Sequence, residues 1–256
     1  MPSPLLFKTE LQNWIEHVVE PRRLVLAWQA PDQFKERFRW AVGEISQTEN
    51  DYLFRYFEEA EFQSRNQGKT ISAIQELGYR GYPAFNPKQN RHTQNVLAPF
   101  LRRIASRGRG DFDSYRSYFR LPAKIAVSDF TLLGITEAKL PGDGFSLVDQ
   151  LENTEASREL YLEVAGHRYH RSNLPNRDIL GEAVEFVREP ENLFDQNAVM
   201  VQLNGNCIGY INRLQTNAFA RWIVERRVSG VVERLNGDSD RPRLFIFVRV
   251  LLQPAD

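Results

Sequence analysis

The sequence predicts an α+β protein in which an N-terminal mixed α/β domain precedes a small, curled β domain. Its 256 residues are enough for two domains of ordinary size, and a hydrophobic content of 42% is enough for two cores. Helical and strand periods alternate as far as residue 148, whereas short strands dominate after residue 158. Because the polar stretch between them lacks a strand pattern, we predict one domain over 1–155 and a second over 156–256.

The first half of the N-terminal domain is predicted to combine one helix with a meander of strands. Apolar residues at helical spacing predict a helix over 5–20, which Pro21 ends because proline cannot continue a helix. Three short apolar runs, separated by polar residues, then predict strands at 24–28, 40–45 and 52–57.

The second half of this domain is predicted to be mainly helical. A helical pattern covers 58–77, and two further helices are predicted within 95–120. Short apolar segments follow at 126–133 and 145–148. Within 95–120, arginines are interleaved with aromatic residues, a mixture that can pair with phosphate and stack on bases. Aromatic residues at helical spacing more often form a core, and both interpretations stay open.

The C-terminal domain is predicted to be rich in β-structure. Six strands are expected, at 160–164, 184–188, 198–203, 207–211, 231–235 and 244–250. The turn Asn204-Gly205-Asn206 joins the third and fourth strands as a hairpin. One helix is predicted over 214–227. Several short strands with a single helix indicate a small curled sheet or barrel.

The composition limits the possible functions. The formal net charge is zero, so the overall field does not attract nucleic acid or an anionic membrane, and any basic face must be local. Of the 33 basic residues 27 are Arg, which suits phosphate and base contacts but also ordinary surface ion pairs. No apolar run reaches the length of a membrane span, and the N-terminus lacks the features of a signal peptide. We expect a cytoplasmic protein without metal or cofactor.

The most specific motif lies in the C-terminal domain. Residues 188–199 read Arg-Glu-Pro-Glu-Asn-Leu-Phe-Asp-Gln-Asn-Ala-Val, and a hairpin that ends in Gly209-Tyr210 follows. Together with Val164 to His170 upstream, in this order and spacing, these residues resemble the HIRAN domain over about 158–252. The resemblance implies an OB-like β-barrel that captures the 3′ end of single-stranded DNA.

The same resemblance implies a DNA-binding pocket. By motif position its members fall on Arg168, Tyr169, His170, Asp195, Arg213 and, more loosely, Phe245. His170 stands where the family has an aromatic residue, although imidazole can also stack on a base.

The residue types suit this chemistry independently of the resemblance. Tyr169 and His170 can stack on an unpaired base, and Arg168 and Arg213 can pair with phosphate. Asp195 can accept a hydrogen bond from a terminal 3′-hydroxyl. Strand alternation argues against a shared pocket, because it places Tyr169 on the opposite face from its two neighbours unless the chain bends. Asx side chains in this loop, Asp195 included, can instead brace the loop through bonds to its backbone.

The N-terminal domain is predicted to bind another protein. Segments including 42–45, 52–56 and 130–134 look like the small N-terminal subdomain of HipA-type toxin kinases, but no kinase motif follows. This likeness implies interaction rather than phosphoryl transfer. We therefore expect a DNA-binding protein whose N-terminal domain recruits or regulates a partner protein. The alternative is a protein-interaction or toxin-regulatory module that does not bind DNA.

An enzyme is the third hypothesis. A metal-dependent nuclease needs clustered carboxylates, and the pairs Asp111/Asp113 and Asp238/Asp240 provide them. Both pairs lie in turn-like sequence, where carboxylates are common. We therefore predict that the protein is not an enzyme.

Overall fold

The computed structural model describes residues 13–34, 38–49, 51–140, 142–238 and 240–251. Its first sheet is antiparallel and consists of β1 (Arg23–Gln29), β2 (Arg39–Gln47), β3 (Tyr52–Tyr56), β4 (Arg91–His92) and β5 (Phe145–Val148). The strands lie in the order β4-β3-β2-β1-β5. The predicted three-strand meander is confirmed and forms the centre of this sheet.

Short helices complete the N-terminal region. They are α1 (Glu59–Arg65), α2 (Ile71–Glu76), α3 (Ala98–Leu101), α4 (Phe112–Tyr118) and α5 (Asp129–Thr136). Hydroxyl caps begin two of them, because Thr70 Oγ1 accepts from the Ala73 amide at 3.1 Å and Ser128 Oγ accepts from the Thr131 amide at 3.0 Å. Most side chains of α5 are buried, so no amphipathic period identified it as a helix in the sequence.

The helix predicted over 5–20 is wrong for residues 13–20, which have no regular secondary structure. Its earlier part lies outside the described residues. Backbone amides in this segment bond to distant partners instead. Ile15 N donates to Arg120 O at 2.8 Å, and the Glu159 carboxylate accepts from Glu16 N at 3.0 Å and His17 N at 2.7 Å. These tertiary hydrogen bonds replace the helical ones.

The second sheet has six antiparallel strands and one helix. They are β6 (Arg158–Glu163), β7 (Ala183–Arg188), β8 (Val199–Leu203), β9 (Asn206–Tyr210), α6 (Thr216–Val224), β10 (Val228–Asn236) and β11 (Arg243–Val250). The strand order is β6-β11-β10-β7-β8-β9. All six predicted strands and the predicted helix are confirmed. The helix buries Phe219 and Trp222 in the core of this sheet.

The predicted barrel is not closed by a strand ladder. The two edges of the sheet, β6 and β9, meet at one bridge just beyond β6, where Ala165 N donates to Tyr210 O at 2.7 Å and Tyr210 N donates to Ala165 O at 2.9 Å. Gly209 permits this approach, because a Cβ there would lie 2.5 Å from Val164 Cγ1 and 2.6 Å from Ala165 O. We call this meeting of the two edges the seam.

The outer face of β6, β11 and β10 is covered by the N-terminal region. Aromatic and aliphatic side chains from both parts of the chain form a common cluster, which includes Phe112, Leu121, Tyr161, Phe245 and Phe247. Beside it, the Arg120 guanidinium pairs with the Glu233 carboxylate, and both side chains are largely buried. The two predicted domains therefore share an interface with its own core.

Candidate nucleic-acid interface

Three of the residues selected by the motif, Arg168, Tyr169 and His170, lie near the seam. A 3-10 turn over His167–Tyr169 and another over Arg171–Asn173 follow β6 and pass alongside β9. His167 Nδ1 lies 2.8 Å from Ile208 O, and Asn173 Nδ2 donates to Cys207 O at 2.7 Å. Side chains of the two turns therefore occupy carbonyls on the edge of β9 and fix the turns in place.

The Arg168-Tyr169 pair forms an exposed platform. The Arg168 guanidinium lies over the Tyr169 ring, 4.5 Å from its centroid, and also donates to the phenolic oxygen. The Tyr169 side chain is 68% exposed. Strand alternation does not apply here, because β6 ends at Glu163 and the chain bends at Gly166, which has φ of +71°. Both side chains thus lie together at the surface.

His170 is held against β9. Its ring packs edge-on against Tyr210, with centroids 5.6 Å apart, and its Nε2 lies 3.9 Å from Cys207 Sγ. Burial lowers the pKa of His170, and the nearby Glu189 carboxylate opposes this only in part. A neutral imidazole at pH 7 suits stacking better than phosphate pairing. Tyr210, which the sequence analysis did not select, is its immediate partner.

The loop between β7 and β8 is braced by its own Asx side chains. Asn192 Oδ1 accepts from Phe194 N at 2.9 Å and from Asp195 N at 3.0 Å, and Asn192 Nδ2 donates to Glu189 Oε2 at 2.6 Å. Asp195 Oδ1 accepts from Asn197 N at 2.9 Å. The bracing expected of the Asx side chains in this loop is confirmed for Asn192 and for Asp195.

This braced loop displays two apolar side chains that the sequence analysis also passed over. Leu193 is 95% exposed and Phe194 is 72% exposed. They stand at the two positions before Asp195. An aromatic residue next to a predicted binding residue was the sequence signal that could have identified Phe194. The Glu189 carboxylate at the base of this loop interacts electrostatically with both His170 and Tyr210. Exposed apolar residues on a rigid loop are typical of a binding surface.

Arg213 and Phe245 are placed differently from the other predicted residues. Arg213 donates to Arg39 O at 3.0 Å, to Asn66 Oδ1 at 3.2 Å and to Arg65 O at 3.2 Å, all in the N-terminal region. Its charge nevertheless interacts with Asp195, which opposes the lowering of the Arg213 pKa by burial.

Phe245 lies in the interface cluster rather than at the surface. It is 5% exposed and stacks on Tyr161 with centroids 5.1 Å apart and planes within 4°. The N-terminal region covers this face of β11, which sequence spacing had no means of showing. The structure thus gathers Arg168, Tyr169 and His170 near the seam and buries Phe245, while Asp195 interacts with Arg213 only electrostatically.

The arginine and aromatic mixture within 95–120 serves mainly in packing. Most of its arginines bind partners within the protein: Arg103 pairs with Asp143, Arg107 with Asp129, Arg109 with Asp111, and Arg120 with Glu233. Arg116 donates to the carbonyls of Pro122 and Ile125. The aromatic residues Phe112, Tyr115 and Phe119 belong to the interface cluster.

The carboxylate pairs considered for a nuclease have structural partners. Asp111 is paired with Arg109, and Asp238 Oδ1 accepts from the amides of Asp240 at 3.0 Å and Arg241 at 2.8 Å. In the described ranges, no group of three or more His, Cys, Asp or Glu side chains is arranged to hold a metal ion. The same ranges contain no helix that is both long and apolar enough to cross a bilayer.

These features define a small β domain whose seam carries an aromatic and basic surface. The family model of the HIRAN domain matches residues 157–253. This part of the chain is a HIRAN domain, as the motif predicted. No curated protein matches the chain significantly.

Two solved structures are also similar to part of the chain. The HIRAN domain of human HLTF is 25% identical over 36% of this chain and 76% of that one, with a TM-score of 0.27. A protein from Lactobacillus plantarum is 27% identical over 38% of this chain and 98% of that one, with a TM-score of 0.28. The HIRAN assignment rests on the family match and the motif.

Proposed function

We propose that this protein is a non-enzymatic DNA-binding protein whose HIRAN domain recognises single-stranded DNA at its 3′ end. The Arg168-Tyr169 platform is the observation that supports this most directly. It offers an exposed ring for a base and a guanidinium for the adjacent phosphate. A stacked base on Tyr169 is worth about 1–3 kcal/mol in such sites.

Other residues of the HIRAN domain offer further contacts for DNA. His170 and Tyr210 supply a second aromatic pair, and Phe194 supplies an exposed ring on the braced loop. Asp195 keeps acceptor capacity beyond its one loop bond, so its carboxylate can accept a hydrogen bond from a free 3′-hydroxyl. A 3′-phosphate would instead bring like charges together. The site would therefore distinguish a free end from a blocked one.

The N-terminal region would recruit or regulate a partner protein in this proposal. Its likeness to the HipA N-terminal subdomain points to interaction, and its extensive interface with the HIRAN domain gives it a route to influence DNA binding. A HIRAN domain that binds only protein is the second candidate. The exposed Leu193 and Phe194 favour it, since adjacent apolar side chains also suit a protein surface.

Fluorescence anisotropy tests the proposal. The ligands are one oligonucleotide with a free 3′-hydroxyl, the same one with a 3′-phosphate, and a blunt duplex, each at about 50 and 200 mM salt, where phosphate contacts show as salt-dependent affinity. We expect the free 3′-hydroxyl to bind most tightly. Arg168→Ala and Asp195→Ala should each weaken it about tenfold, the effect of one lost charge-assisted hydrogen bond.

Matched controls are present in the same domain. Arg177 is an exposed arginine paired with Glu182, and Asp178 is a turn aspartate whose Oδ1 accepts from Leu180 N at 3.0 Å. Arg177→Ala and Asp178→Ala should leave binding unchanged. Equal affinity for the three ligands, or equal effects of site and control variants, would contradict end recognition. Absence of binding together with a stable protein complex would favour the second candidate.

A further inference from the structure

Arg213 lies where the HIRAN domain touches the N-terminal region. It follows Tyr210 by three residues, and its neighbours are also held by N-terminal acceptors. Asn212 Nδ2 donates to Glu137 Oε1 at 3.5 Å, and Gln215 Nε2 donates to Asp149 O at 3.0 Å. The segment 212–215, which follows β9, is therefore hydrogen-bonded to the N-terminal region.

The guanidinium of Arg213 is held by neutral groups. Its three hydrogen bonds go to two backbone carbonyls and the amide oxygen of Asn66, and the rings of Phe38 and Trp40 lie 6.0 and 5.9 Å away. Among the described residues, the buried Nε of Arg213 has no hydrogen-bond partner. The nearby negative charge is Asp195, which acts on it without a direct ion pair.

This arrangement is a poor final state for a cation. Arg213 is partly buried and burial lowers its pKa, but no carboxylate in the described ranges forms an ion pair with it. A phosphate group offers a guanidinium the two parallel charge-assisted hydrogen bonds that carbonyl oxygens do not. An anion that reaches the Arg213 guanidinium can therefore replace its N-terminal hydrogen-bond acceptors.

We propose that the N-terminal region keeps Arg213 from binding DNA and that a DNA phosphate replaces the N-terminal acceptors of its guanidinium. The contact between the two domains is then autoinhibitory. This inference rests on the proposed function. Coupling of this kind is reciprocal: a change that weakens the N-terminal hold on Arg213 strengthens DNA binding, and bound DNA weakens the hold by the same factor. A contact that only braced the domain would give the opposite sign.

Phe38→Ala in the full chain tests the proposal. The substitution removes one ring beside the guanidinium and changes no residue of the HIRAN domain itself. Loss of one cation–π contact corresponds to about 2- to 30-fold tighter binding of the free 3′-hydroxyl oligonucleotide. The released arginine adds one phosphate contact, so the slope of log affinity against log salt should steepen by about 0.7. Both gains should disappear when Arg213→Ala is added.

Phe34→Ala is the matched control. Phe34 is a partly buried aromatic residue on the same core as Phe38, and Arg213 lies over Phe38 and Trp40 rather than over it. We expect it to leave DNA affinity unchanged. If Phe38→Ala fails to fold, Phe38→Leu keeps apolar bulk while removing the ring and replaces it in the test.

The outcomes separate the two proposals. Tighter binding by Phe38→Ala that depends on Arg213 supports autoinhibition, and so does binding seen only in that variant. Unchanged or weaker binding by Phe38→Ala, with wild-type binding intact, overturns autoinhibition and leaves the proposed function standing. If neither protein binds any oligonucleotide, both proposals fail.

Discussion

Replacing Glu233 by alanine should be among the most damaging single changes to this protein. The Glu233 carboxylate accepts from the guanidinium of Arg120 and from Asn13 Nδ2 at 2.6 Å, so one side chain of β10 joins two separate N-terminal segments. The Glu233 and Arg120 side chains are only 5% and 10% exposed.

The size of the effect follows from this burial. Removing one partner of a buried ion pair leaves an uncompensated buried charge, which costs about 3–5 kcal/mol. For a chain of this size, 1 kcal/mol shifts the melting temperature by about 2–4 °C, so we expect a fall of about 6–20 °C. Replacing both partners, with Arg120→Met and Glu233→Leu together, should recover much of the loss because no unpaired charge is left.

Urea unfolding followed by circular dichroism, together with thermal melting, measures these differences. Glu182→Ala is the control, since its pair with Arg177 is exposed and such pairs contribute about 0–1 kcal/mol. A loss of less than about 1 kcal/mol in Glu233→Ala would refute the reasoning. So would a double variant no more stable than Glu233→Ala.

Three further predictions concern the HIRAN domain. Tyr169→Ala should weaken single-stranded DNA binding by about 1–3 kcal/mol in anisotropy titrations without lowering the melting temperature. Gly209→Ala should cost about 1–3 kcal/mol more than Gly205→Ala in urea unfolding, because both glycines have positive φ but only Gly209 meets backbone at the seam; equal losses would contradict this. Burial lowers the pKa of His167 below its ordinary value of 6.5, so on acidification the unfolded state binds a proton before the folded state does. The free energy of unfolding should therefore fall as the pH drops below about 6.5. His167→Asn should flatten this pH dependence, and an unchanged profile would contradict the prediction.

Much of the fold was predictable because it is written in local patterns. Alternation and turn residues located all six strands of the second sheet, and Asn204-Gly205 located its hairpin. The predictions failed where the local apolar pattern was absent or was overridden by tertiary hydrogen bonds. The helix α5 is buried nearly all round, and residues 13–20 have a helical pattern but bond to Arg120 and Glu159 instead.

The candidate site was predictable in part. The motif identified Arg168, Tyr169 and His170. Strand alternation would have placed Tyr169 on the opposite face, and the bend at Gly166 removes this obstacle. Phe194 and Tyr210 were missed, although both lie within the recognised motif. Their exposure and contacts depend on how the loop and the seam fold, which spacing along the chain does not encode.

The sequence by itself determined the family of the C-terminal domain and the local frame of its loop, because a family motif and an Asx brace depend on residues near in the chain. Only the tertiary structure decided which residues of the predicted DNA-binding pocket are accessible. Arg213 and Phe245 satisfy the motif, yet one is held by N-terminal carbonyls and the other lies in the interface cluster. Burial by a second domain is a long-range property, set by surfaces that meet only after folding.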